Sequence, residues 1–190
     1  MAEYYFDIET CSRTAHPDFN NDPIIAITYQ QIDSRTGQAI DKLNILKSWE
    51  SSEEEILRKF HPIFNLQDKW KFIPIGCNLS FDFVSLICRW KKIGIETTVR
   101  NLFTEHPYID IQPILVIFNR GSFKDCSLQK FAGKQHSGSK IIEWYDKSEY
   151  QEIQSYIEDE TEKFLRLYRF LVQRLPNLWD EFAKGCGIIV

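Results

Sequence analysis

Residues 4–10 read Tyr-Tyr-Phe-Asp-Ile-Glu-Thr (YYFDIET), an aromatic run that passes directly into two acids. Its aromatic and β-branched residues predict a strand over residues 3–8. On a strand, positions two apart share a face, so Asp7 and Glu9 project together. Two carboxylates following an aromatic run, on an element with the character of a buried central strand, are an oddity. A solvated strand end is the ordinary alternative, because D-x-E alone is a common sequence.

After this heptapeptide, residues 10–22 predict a polar loop with Pro17 and several Asn and Asp. Residues 23–32 (PIIAITYQQI) predict a second strand. DSRTG at 33–37 is turn chemistry, and residues 39–47 alternate well enough for a third strand, giving an antiparallel meander. The period then changes. Ser51 or Ser52 followed by Glu54 or Glu55 predicts a capped helix through Phe64, with Ile56, Leu57, Phe60 and Phe64 on one face. Residues 71–76 (KFIPIG) predict a short strand. Residues 80–92 predict a helix with Phe81, Val84 and Ile87 or Cys88 as its stripe, closing at Gly94. Residues 108–118 (YIDIQPILVIF) read as a strand end followed by a buried helix, with Pro113 at the change. Residues 119–140 are loop-rich and basic, with a short helix at 127–133. The last long helix spans about 148–175, its inner face using Ile153, Tyr156, Phe164, Leu167, Tyr168 and Leu171. Pro176 ends it, leaving 177–184 as a short amphipathic cap. Three strands, then helix–strand–helix, then helices, predict an α/β mixed central sheet flanked by helices, as a single domain over residues 1–190.

The 43% hydrophobic content supports a real core and excludes a disordered chain. The formal net charge of −4 means that nucleic-acid affinity must be local, through a small basic patch or bound cations. No apolar stretch approaches the ~18 residues of a membrane span. The N-terminus lacks a basic region followed by an apolar run, and the five cysteines show no C-x-x-C spacing. Both features fit a cytoplasmic protein with reduced thiols. The four histidines are scattered, and no phosphate-binding glycine loop occurs.

Two further segments place acids beside apolar elements. Asn78-Leu79-Ser80-Phe81-Asp82 follows the short strand, setting Asp82 in the first turn of a helix, where a negative charge also suits the helix dipole. Tyr156 and Glu160 are four apart in the last helix and stack on one face, which continues through Phe164, Leu167 and Leu171. An acid on the apolar side of a helix needs a partner, and a metal ion is one.

In this order, D-x-E, N-x-x-F-D and Y-x-x-x-acid resemble the DEDD superfamily of 3′→5′ exonucleases, in its tyrosine-bearing subgroup. The match is similar to stand-alone predicted exonucleases related to the proofreading domain of family B DNA polymerases. YYFDIET corresponds to the first motif, CNLSFDF to the second and IQSYIEDETEKF to the third. The resemblance spans about residues 4–171. It implies a ribonuclease H-like fold and hydrolysis of phosphodiesters with two Mg²⁺ or Mn²⁺ ions per site. It also implies that Asp7 bridges both ions, that Glu9 and the third-motif acid hold the ion of the nucleophilic water, and that Asp82 holds the second. Tyr156 would orient the attacking water, since a phenol is a poor general base at neutral pH. The substrate implied is the 3′ end of single-stranded DNA or RNA.

The family's third motif ends in Asp where this chain has Glu160. Counting along the helix, Glu160 is in phase with Phe164, Leu167 and Leu171, whereas Asp159 is followed at helical spacing by Glu162, Lys163 and Arg166. Glu160 is therefore the expected ligand and Asp159 a surface charge paired with Lys163. Thr10, Asn78, Phe81, Lys134 and Lys140 are weaker candidates for nucleic-acid contact; Phe19, Trp90 and Trp144 could stack on bases, but core packing is the favoured reading for each. The alternatives are an exoribonuclease with the same site and an inactive nuclease-fold binding module.

Overall fold

The computed structural model describes residues 1–14, 16–133 and 139–188, without the side chain of Ser139. Five strands form one sheet: β1 (Glu3–Thr10), β2 (Ile24–Ile32), β3 (Asn44–Lys47), β4 (Ile73–Gly76) and β5 (Ile109–Asp110). Their order across the sheet is β3-β2-β1-β4-β5. β1 pairs antiparallel with β2 and parallel with β4, so the YYFDIET strand lies at the centre of a mixed sheet. The antiparallel meander and the parallel strands are arranged as the sequence pattern predicts.

Seven helices flank the sheet among the described residues: α1 (Glu53–Phe64), α2 (Leu79–Lys92), α3 (Val99–Phe103), α4 (Gln112–Phe118), α5 (Leu128–Ala132), α6 (Ser139–Asp146) and α7 (Tyr150–Gly185). Ser52 caps α1 by accepting the Glu55 N–H, and the buried stripe of Ile56, Leu57, Phe60 and Phe64 is the predicted one. α1 and α2 cover one face of the sheet. There Phe6, Phe60, Phe64, Phe72, Phe83 and Trp90 form an aromatic core, with Phe6 stacked on Phe60 at 5.4 Å between centroids. α7 and α4 cover the other face, where Phe164, Leu115 and Leu171 pack on Tyr5 and Ile75. The pleat of β1 divides its residues between these layers, sending Phe6 and Ile8 to the aromatic core and Tyr5 to the α7 side.

Several expectations are corrected: the third strand, read over 39–47, runs only over Asn44–Lys47, and α4, read as buried, leaves Ile117 and Phe118 exposed. The inner stripe of α2 is Leu79, Phe83, Leu86 and Trp90; Phe81, Val84, Ile87 and Cys88 are only half-buried. Apolar residues surround most of this helix, so its phase is set by the sheet it packs on. Pro176 does not end the last helix, which runs unbroken through it to Gly185 and leaves no separate cap at 177–184. A proline costs the helix one N–H donor and crowds the carbonyl of Val172, four residues back in the same helix, and α7 absorbs both. α3 and α6 are additional helices.

Candidate active site

The acids converge where β1 runs out past its shorter neighbour. β4 separates from β1 after the pair Tyr5↔Ile75, and further along β1 the Asp82 carboxylate accepts the Ile8 N–H at 3.0 Å. Asp82 reaches this point from the first turn of α2. Gly76 permits the close turn, because a Cβ there would lie 2.8 Å from the Phe6 carbonyl oxygen and 2.5 Å from the Leu79 side chain. Asn78 takes the left-handed conformation at φ 66°, which Asn tolerates better than most residues. Asp110, at the end of β5, ties this turn down by accepting the N–H groups of Asn78 (2.9 Å), Leu79 (3.0 Å) and Gln112 (2.9 Å). The sequence reading missed Asp110. Its signal is an acid at the end of an apolar strand, just ahead of a helix.

From the opposite layer, the first half of α7 brings Tyr156 and Glu160 to the same place. Ligand oxygens of Asp7, Glu9 and Glu160 lie within 4.8 Å of one another. Glu160 is 7% exposed and Glu9 9%, while Asp7 is half-buried. Asp159, one residue before Glu160, turns outward and pairs with Lys163 at 2.6 Å. A cavity of about 410 Å³ is lined by Asp7, Glu9, Asp82, Tyr156 and Glu160, together with Thr10, Asn78 and Phe81. Ser12, Thr14, Cys77 and Ile142 complete much of the wall and were not foreseen.

The electrostatics follow from burying acids together. Burial pushes the Asp82 pKa well above the usual carboxylate range, and the Asp7 charge pushes it further; the Ile8 N–H opposes both. Burial also raises the Tyr156 phenol far above its ordinary value, assisted by Glu9, Glu160 and Asp7. Cys77 is pushed up to about 12 by burial and by Asp110 and Asp7, so it is a neutral thiol at physiological pH.

Buried carboxylates clustered this closely suit a hard divalent cation, since oxygen donors are what Mg²⁺ and Mn²⁺ prefer. Asp7, Glu9 and Glu160 form the compact set, and Asp82 stands outside it while lining the same cavity.

The weaker candidates divide. Thr10, Asn78 and Phe81 are at the cavity. Lys140 is on α6, exposed and paired with Glu143 at 2.9 Å, and Lys134 lies outside the described residues. Trp90 is a core residue, and Trp144 packs on Tyr156 with centroids 6.0 Å apart. All five cysteines are free. Among the described residues no helix is long and apolar enough to cross a membrane.

No protein-family model and no curated protein matches the chain. Solved structures do share its fold. The family B DNA polymerase from the archaeon Pyrobaculum calidifontis aligns with a TM-score of 0.66 at 18% identity, over 90% of this chain and 24% of the polymerase. The zinc-bound complex of E. coli exonuclease I with single-stranded DNA aligns at 0.64 and 12% identity, over 96% of this chain and 43% of that one. The E. coli exonuclease I complex with a dT13 oligonucleotide aligns at 0.62 and 13% identity, over 95% and 43%. The chain spans less than half the length of each. The architecture is thus the ribonuclease H-like α/β fold that these exonuclease I structures share with the polymerase.

Proposed function

We propose that this chain is a divalent-metal-dependent 3′→5′ exonuclease that removes nucleotides from the ends of single-stranded DNA. The observation that carries the reading is the convergence of Asp7, Glu9 and Glu160 within 4.8 Å, in a cavity that Asp82 and Tyr156 also line. The fold shared with exonuclease I and a family B polymerase supports it, as do the single-stranded DNA complexes formed by exonuclease I.

Asp7, Glu9 and Glu160 would hold one ion, and Asp7 with Asp82 a second. A metal pair supplies an activated water and charge stabilisation for the leaving oxygen of a phosphodiester. The chain's own residues do the rest. Tyr156 stays protonated, because burial and three carboxylates oppose its ionisation, so its hydroxyl orients the attacking water and does not remove its proton. Thr10 and Asn78 stand at the cavity wall, where they would contact the terminal nucleotide. Asp110 holds the turn that aims Asp82.

The test is degradation of end-labelled single-stranded DNA and RNA side by side, with Mg²⁺, with Mn²⁺ and with chelator. Mononucleotides released from the 3′ end of DNA, in metal only, are the expected result. A preference for RNA would move the substrate to ribonucleic acid with the same site. Cleavage from the 5′ end, or undiminished cleavage in chelator, would refute the proposal.

A further inference from the structure

Residues 18–22, between β1 and β2, form a closed knuckle. The Asp22 N–H donates to the Asp18 carbonyl at 2.7 Å, and the Asp18 N–H donates to the Asp22 carboxylate at 2.7 Å. The Asn21 side chain adds a bond to the Asp18 carboxylate at 2.7 Å. The knuckle is bolted to the helical layer through Arg89 of α2, which is only 5% exposed. Its guanidinium donates to the Asn20 carbonyl at 2.5 Å and grips both carboxylate oxygens of Glu53 at the start of α1. Glu53 in turn accepts the Ile24 N–H at 2.7 Å, where β2 begins. A nearly buried arginine, bidentate on one carboxylate and bonded to one loop carbonyl, fixes that loop in one position.

What the knuckle presents is Phe19. Its ring lies 5.5 Å from that of Phe81, tilted by 57°, and Phe81 lines the acidic cavity next to Asp82. Among the described residues Phe19 joins none of the three core clusters, so core packing does not account for it. A rigidly held, half-buried aromatic ring beside the cavity wall is well placed to meet a flat apolar ligand face.

The geometry points to Phe19 as a substrate-positioning residue: with Phe81 it makes a two-ring step at the cavity wall, against which the base of a nucleotide near the 3′ end stacks. This rests on the single-strand exonuclease reading and deepens it. Stacking on aromatic rings is tolerant of sequence, because every base has a π face. It also requires a base whose face is free of its stacked neighbours, so the step favours an unpaired, splayed end over a duplex.

Steady-state kinetics test this on two DNA strands, one ordinary and one whose last two nucleotides lack bases. Phe19→Leu keeps an apolar side chain and removes the ring. On the ordinary strand it raises KM about tenfold, with kcat changed less than about twofold. On the abasic strand the variant and the wild type perform alike, and the two proteins melt together. An unchanged KM on the ordinary strand overturns the inference and leaves the exonuclease reading standing. So does an equal rise on both strands, which would give Phe19 a purely structural task. A wild-type protein that releases nucleotides from neither strand in Mg²⁺ or Mn²⁺ removes both.

Discussion

The Asp82 carboxylate accepts the backbone N–H of Ile8, the residue between Asp7 and Glu9, at 3.0 Å. One helix residue thereby holds the strand segment that carries two other acids of the site. The same contact draws a carboxylate out of water beside Asp7. Its pKa rises above the unfolded value of about 3.9, so between those two values the native state keeps a proton that the unfolded chain releases. This contribution is full below about pH 3.9 and is lost as pH climbs through the raised folded pKa. Asp82→Asn keeps an amide oxygen for the Ile8 N–H and carries no charge. In chelator at pH 7 it should melt above the wild type, with the gap closing as the buffer is acidified. Nucleotide release should fall to background. A variant that melts lower at pH 7 than the wild type would show that the acid is not a burden on the metal-free fold.

Metal binding should stabilise the protein through Asp7. At Mn²⁺ about 100-fold above its Kd, the wild type should gain about 2.7 kcal/mol. Asp7→Ala should melt normally in chelator, show little of that gain and release no nucleotides. Calorimetric melting with and without Mn²⁺ checks this.

Tyr156→Phe removes only a hydroxyl from a ring packed against Trp144. We expect turnover to fall about 100-fold, the order of loss seen when a reacting group is misplaced, with the Mn²⁺ melting gain intact. Because the phenol's pKa is raised, the wild-type rate should show no inflection from tyrosine ionisation near pH 10. Equal rates in the two proteins would make Tyr156 a packing residue only.

Adjacent acids on α7 should behave oppositely. Asp159→Asn breaks an outward i,i+4 pair with Lys163, worth no more than about 0.5 kcal/mol, and should leave activity intact. Glu160→Gln, on the inward side, should lose nucleotide release and weaken the Mn²⁺ gain. The reverse pattern in paired assays of the two variants would place the ligand at Asp159.

Much of this was legible in the sequence where one physical signal dominated. The α1 stripe was readable because four large apolar side chains at helical spacing follow a Ser cap. The inward turn of Glu160 followed from its phase with Phe164, Leu167 and Leu171. The α2 stripe was not readable, because its apolar residues surround the helix and its buried side includes Asp82 and Arg89, which pattern reading assigns to solvent. Pro176 misled for a different reason: a proline weakens a helix at one bond and does not by itself end it, and α7 continues through it. α3 and α6 are five and eight residues long, too short to establish a period. Asp110 acts through three backbone N–H groups, two of them more than thirty residues away, and no local pattern reports such a contact.

β1 sits between two partners, with Phe6 and Ile8 on one side of the sheet and Asp7 among the acids on the other. Strand pleating makes this a matter of odd and even count. Lengthening or shortening the segment before Asp7 by one residue, with the ladder held, would turn the carboxylates into the phenylalanine layer and the aromatic rings into the cavity. The strand thus behaves like a reading frame: a side-chain swap within it alters one position and leaves the alternation intact, whereas an indel of one residue there would cost the fold and the site together.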